Sequence, residues 1–191
     1  MARDADETRR LLLAAARAEF ARHGLAGARV DRIAAEAGVN KERIYAHFGK
    51  KDQLFDAVLA DSLAESAAEM ETPAQEGFDA YVERKLTYHA QHPQAVRLLL
   101  WEALERPGAP FAAQQERGAA YDAKAQTLAD MLGTDDTQAR YAMMVGLALG
   151  TVEQAFPVLT ALVLGDDADR QAFRDYVIRA AAKAVASRRL P

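Results

Sequence analysis

The chain has 191 residues, enough for one medium domain or for a small module fused to a larger one, and enough to bury a core. It carries no cysteine, which excludes disulfide staples, thiolate zinc sites and cysteine nucleophiles together and suits a reducing cytoplasm. The net charge of −4 is unevenly placed: eleven basic against eight acidic residues over 1–55, thirteen against twenty beyond, so the basic surplus sits at one end, as in a module that meets a phosphate backbone.

Apolar residues recur at the helical period throughout, Val and Ile are scarce, and no period-2 run occurs, which predicts an all-α chain of about nine helices. Breaks fall at Gly24, Gly27, Gly38, Gly49, Thr72-Pro73, His92-Pro93, 107–110, Gly133 and Gly165. The predicted helices cover about 8–23, 30–37, 41–48, 52–71, 74–91, 93–105, 111–132, 136–164 and 168–187. Pro93 opens its helix, where a missing N–H costs nothing, and Pro157 should bend or end the eighth helix. The fourth helix has no Gly or Pro inside it and leaves the first module as a stiff rod. The expected division is a small module of short helices over 1–55 and a larger helical domain over 56–191. Glu153 and Pro157 interrupt the longest apolar run before it reaches the roughly 20 residues of a membrane span, so a soluble, cytoplasmic protein without membrane contact is expected.

Residues 30–45, VDRIAAEAGVNKERIY, spell a helix-turn-helix. Ile33, Ala37, Val39 and Ile44 wedge two short helices together, and Ala34 is small where they cross. Gly38 supplies the positive φ of the tight turn, and Asn40 caps the second helix. The N-terminal end of that helix enters the major groove in this motif. Arg43 can fork onto guanine, Lys41 can reach a base or a phosphate, and Tyr45 and His47 carry groups suited to phosphate oxygens. Lys50 and Lys51 stand at the start of the next helix, where an ammonium and free N–H groups favour an anion. Arg3, Arg9 and Arg10 form either an arm against phosphate or, the reading preferred here, a solvated terminus.

Over residues 8–55 the chain resembles the N-terminal domain of the tetracycline-repressor (TetR) family. The resemblance lies in an Ala-rich helix ending in Phe20 and Gly24, then Ile33-Ala34 with Ala37-Gly38-Val39, then Ile44-Tyr45-Ala46-His47-Phe48, then Lys51-Asp52-Gln53-Leu54. It implies that Lys41, Arg43, Tyr45, His47 and Lys51 contact bases or phosphates and that Phe48 and Leu54 are core. It further implies a repressor that binds a palindromic operator in double-stranded DNA as a homodimer, pairs its last two long helices across a two-fold axis, and is released by a small-molecule effector. Ala28 and Arg29 depart from the family pattern, standing where Ser or Thr caps the second helix, as do Glu42 and Arg43, where small residues are common. Arg29 would replace a hydroxyl–phosphate contact with a charge-assisted one. Glu42 either accepts from a cytosine amino group or stabilises the positive end of its helix.

In the C-terminal part, residues 141–150 are apolar on every side, which predicts a helix buried all round: one side against its own protomer and the other against a second subunit, with Gly146 and Gly150 allowing close approach. Met70, Phe78, Tyr81, Tyr88, His89, Trp101, Tyr121, Met143 and Met144 are candidate linings of an effector pocket, although ordinary core packing explains any one of them. His89 and His92 lack a third metal ligand, so no metal and no cofactor is expected. Asp61, Glu65 and Glu69 lie on one helix face and read as a solvated surface. An enzyme would need a convergent nucleophile, base or metal set, and no G-x-S-x-G, H-E-x-x-H or phosphate-cradling Gly loop is present. A helical protein–protein adaptor is the remaining alternative.

Overall fold

The computed structural model describes residues 2–69, 71, 74–106, 108, 114–165 and 168–186. Among them are ten α-helices, one short 3₁₀ turn and no strand. The helices are α1 (Ala2–Gly27), α2 (Val30–Glu36), α3 (Lys41–Phe48), α4 (Lys51–Glu69), α5 (Gly77–Gln91), α6 (Pro93–Glu105), α7 (Gln114–Leu132), α8 (Asp136–Ala155), α9 (Pro157–Leu164) and α10 (Arg170–Ala186), with the 3₁₀ turn Ala74–Glu76 leading into α5.

The count exceeds nine because the predicted eighth helix is two. Phe156 leaves helical geometry at φ −132°, Pro157 opens α9, and the two axes meet at 89°. A proline has no N–H to continue the ladder, so the chain turns there. The first helix is longer than predicted and bends at Gly24, whose φ of 69° and ψ of −179° only glycine adopts readily. The proposed arm is part of that helix: Arg9 lies over the Phe48 ring at 4.9 Å, Arg10 pairs with Glu7 at 2.6 Å, and the Arg3 side chain is outside the described residues.

The chain divides into two compact units, Met1–Ser66 with Gln94–Gln114, and Ala67–Pro93 with Gln115–Pro191. The first therefore takes in α6 and most of α4, which differs from a cut at residue 55. Its core is built on Leu12, Ala16, Phe20, Ile33, Ile44, Leu54, Phe55 and Val58, joined by Leu98 of α6. Phe20 and Phe55 meet edge to face at 5.1 Å. The C-terminal end of α6 ties this unit together. Glu105 accepts from the backbone N–H groups of Leu25 (2.6 Å) and Ala26 (3.0 Å), just past the Gly24 bend, and Trp101 donates its indole N–H to the Ala21 carbonyl at 3.3 Å. Arg106 pairs with Asp56 of α4 and lies 3.4 Å from Asp52.

In the second unit α5, α8 and α10 pack together with α7, burying Phe78, Val82, Leu86, Leu128, Met143 and Val177. Gly146 and Gly150 do allow close approach, but to α5 of the same chain. A Cβ at Gly146 would stand 2.8 Å from the Tyr81 ring, and one at Gly150 would stand 3.0 Å from Lys85 Cβ. Asp135 caps α8 by accepting from the Gln138 N–H at 2.9 Å. Within the chain α8 is not buried all round: Tyr141 and Met144 are exposed, as are Phe156, Val158, Leu159, Leu162 and Val163 around the bend and Tyr176 on α10.

Gly24→Ala tests the bend. A Cβ there would lie 2.5 Å from the Glu105 carboxylate and 2.8 Å from the Trp101 ring, at a φ that alanine disfavours. Strain and overpacking add, so a loss of roughly 2–4 kcal/mol is expected in denaturant unfolding, read as a lower midpoint at unchanged slope.

Candidate functional site

The second helix of the helix-turn-helix, α3, is held at both ends by features within a few residues. At the end of α2, Gly38 (φ 67°) donates its N–H to the Ala35 carbonyl, and Val39 donates to Ala34 at 3.0 Å. This pair of bonds is the Schellman arrangement that stops a helix and redirects the chain. Asn40 then accepts the Arg43 N–H on its side-chain oxygen at 3.1 Å, capping α3. Ile44 and Phe48 anchor the inner side in the core, and Gly49 (φ 75°) ends the helix. Phe48 and Leu54 are core residues, as the motif implied.

The outer side carries Glu42, Arg43, Tyr45 and His47, all exposed. The Arg43 and Arg29 guanidinium groups make no ion pair with any described residue. Lys41 is different: Asp31 of α2 lies 2.8 Å from its ammonium and holds its pKa above the usual lysine value. The carboxylate and a phosphate would compete for the same group. Lys51 is more firmly committed. Its ammonium donates to the carbonyls of Ala26 (3.3 Å) and Ala28 (3.1 Å), closing the end of α1 onto the start of α4. The N–H of Lys50 is likewise taken, by the Gln53 side chain at 2.8 Å, so the start of α4 is less open to an anion than its sequence suggests.

Sequence reasoning missed the group that replaces the absent Ser or Thr cap of α2. The Arg29 N–H donates to Glu19 of α1 at 2.9 Å, and the same carboxylate oxygen accepts from the Arg32 side chain. The Asp61 and Glu65 face is also more than a solvated surface, because Arg17 of α1 pairs with both.

Of the candidate effector linings, Phe78, Tyr81, Tyr88, His89 and Met143 are buried in the second unit and Tyr121 is half-buried there. Met144 is 59% exposed, since it points away from the α5–α8 crossing. Trp101 belongs to the core of the first unit, and Met70 lies outside the described residues. His89 and His92 do not share a site: His89 Nδ1–H donates to the Gly150 carbonyl at 2.8 Å, while His92 stacks on Tyr88 at 4.4 Å and faces Glu69. A cavity of about 640 Å³ in this unit is lined by Phe78, Met131, Gln138, Tyr141, Val145 and Val185, among others, and of the candidate linings it takes only Phe78.

Two family models match the chain: bacterial regulatory proteins of the tetR family over residues 12–58, and the tetracyclin repressor-like C-terminal domain over 78–183. The chain is 36% identical over 189 residues to the HTH-type transcriptional repressor SCO4008 of Streptomyces coelicolor, covering 96% of this chain and 98% of that one. The chain belongs to the tetR family. It is 32% identical over 111 residues to the repressor NicS of Pseudomonas putida, covering 55% and 52% of the two chains. The putative transcriptional regulator SCO4942 of Streptomyces coelicolor shares its structure with TM-score 0.76 at 27% identity, over 93% and 97% of the two chains. This TetR-family chain is thus a helix-turn-helix, DNA-binding regulator of transcription.

The second unit of this TetR-family regulator hides charges that the sequence reading passed over. Lys85, on the inner side of α5, is 5% exposed, and burial lowers its pKa to about 8, with Lys124 of α7 adding repulsion. Burial lowers Lys124 as well and raises Tyr81 far above the usual tyrosine value. His89 is held neutral mainly by burial. The available signal was a lysine inside the apolar stripe Phe78, Tyr81, Val82, Lys85, Leu86 and His89.

The unfolded chain keeps the Lys85 proton up to about 10.5, and the folded chain releases it near 8. Unfolding therefore takes up a proton between these values, and stability rises with pH across that window. Lys85→Met should be more stable than the parent by roughly 3 kcal/mol near pH 7, with the difference closing by pH 10.5. Denaturant titrations at several pH values would show this, and a pH-independent difference would contradict it.

Proposed function

We propose that the protein is a repressor that binds a palindromic operator as a homodimer and is released by a small-molecule effector bound in its second unit. The observation that carries the DNA-reading half is the outer side of α3, where an unpaired Arg43 stands beside Tyr45 and His47 on a helix capped at both ends. A guanidinium free of internal partners is available to fork onto guanine O6 and N7. Arg29, Glu42, Lys50 and the paired Lys41 flank it, and Lys51 contributes chiefly by holding α1 against α4.

Repression is the activity that the names of SCO4008 and NicS carry, and the family membership supports it here. Dimerisation through α8 and α10 is supported by the exposed Tyr141, Met144 and Tyr176, an apolar face that water would disfavour on a lone chain. A two-fold dimer would present two copies of α3 to half-sites one DNA turn apart. For release, the supporting feature is α4, whose residues pass from the first unit to the second inside one unbroken helix.

Operators selected from randomised DNA would test the reading. Arg43→Ala should lose about 1–3 kcal/mol of discrimination per half-site in binding titrations, and an equal loss on all sequences would reduce Arg43 to a phosphate contact. Binding to unrelated DNA as tight as to the selected site would sink the specific-reader proposal itself.

Met144→Asp puts a charge in the proposed dimer face. Sedimentation should then show a monomer with intact helical content, whereas a dimer of unchanged stability would place the interface elsewhere.

A further inference from the structure

Lys85 has no hydrogen bond or ion pair with any described residue. Its ammonium rests 4.9 Å from the centre of the Tyr81 ring, the one favourable contact that the described residues offer its charge. Lysines almost never bury an ammonium without a carboxylate, because removing the charge from water costs more than packing the side chain returns. Here no carboxylate among the described residues offsets it. The charge that acts on Lys85 is a second cation, Lys124 of α7, itself half-buried and likewise without a counter-ion among the described residues.

Other groups at the same crossing are also left waiting. The Tyr81 hydroxyl is buried with no hydrogen-bond partner. The Gln154 side-chain oxygen, one turn beyond Gly150 on the same face of α8, is buried and unsatisfied as well. Apolar side chains pack beside them: Phe78 stacks on Tyr81 at 5.6 Å, and Met143 is buried in the same core cluster. Gly146 and Gly150 keep α8 close against this part of α5.

We propose that this cluster is the seat of an organic carboxylate: the carboxylate lies between Lys85 and Lys124, the Tyr81 hydroxyl donates to it, and its apolar body lies against Phe78, Tyr81 and Met143. A buried cation, a half-buried one and an orphaned donor, with no counter-charge among the described residues, match an anion and repel a cation. Bound, the carboxylate supplies the missing counter-charge, so the ligand gains the ion pairs that the empty protein lacks. Gln154 would accept from a hydroxyl or amino group on the ligand. This assigns a chemical class to the effector and rests on the effector reading given above.

The test uses the full chain and three matched probes: 2-naphthoate, 2-naphthamide and (2-naphthylmethyl)trimethylammonium, with decanoate and decanamide as an aliphatic pair. Calorimetry at pH 7 should show each carboxylate binding at least tenfold more tightly than its amide, and the ammonium probe not binding. Lys85→Met should abolish that preference while raising the melting temperature of the ligand-free protein, and Lys124→Met should weaken it several-fold. Lys85→Gln serves as the second variant if Lys85→Met does not fold. Equal binding of acid and amide, preference for the cation, no binding by either carboxylate, or a preference that survives both Lys85 variants would overturn the proposal. Release of a selected operator is measured separately by fluorescence anisotropy. Carboxylate binding without release supports the site and sinks the effector reading, whereas release by the amide alone sinks the site and keeps that reading.

Discussion

An eight-residue helix does not hold itself together in water, and α3 has eight residues. Its shape must come from its surroundings, and most of the first unit can be understood as supplying them. The Gly38 turn and the Asn40 cap satisfy the backbone where α2 ends and α3 begins, and Ile44 and Phe48 fasten the inner side to a core built on α1, α2 and α4. The outer side, with Glu42, Arg43, Tyr45 and His47, is left exposed.

The charged residues of this unit fall into two groups with different duties. Glu19, Glu105, Arg106, Arg17 and Lys51 have partners ten or more residues away and tie helix ends and faces to one another. The Arg29 and Arg43 guanidinium groups have no such partners among the described residues. Isolated surface ion pairs are worth little, but bonds that satisfy backbone groups at a bend, as Glu105 does beyond Gly24, prevent a cost that water cannot otherwise relieve. Of the basic residues behind the surplus of three over 1–55, Arg17 and Lys51 are committed to partners within the first unit.

The second unit works by close approach. Two glycines four residues apart on α8 let α5 come near enough to enclose Lys85, and that proximity makes the lysine unusual. The bend at Pro157 belongs to the same economy of space: it ends α8 and starts a short apolar helix with a single buried residue, Thr160. The apolar residues left outside and the lysine enclosed inside are opposite departures from ordinary burial.

The sequence by itself determined what is local. The helical period, the Gly38 turn, the Asn40 cap and the bounds of α3 and α6 all depend on residues within a few positions of one another. A short-range pattern is read directly from the chain because backbone geometry and capping act over three or four residues. Tertiary structure alone decided what depends on distant partners. It made Glu19 the group that replaces a missing cap, took Trp101 into the first unit, spent the Lys51 ammonium on carbonyls, and turned Gly146 and Gly150 toward α5. It also buried Lys85, a residue whose type alone says surface. Burial and charge partnership are properties of packing, and residues 60 or 80 positions apart meet only when the chain has folded.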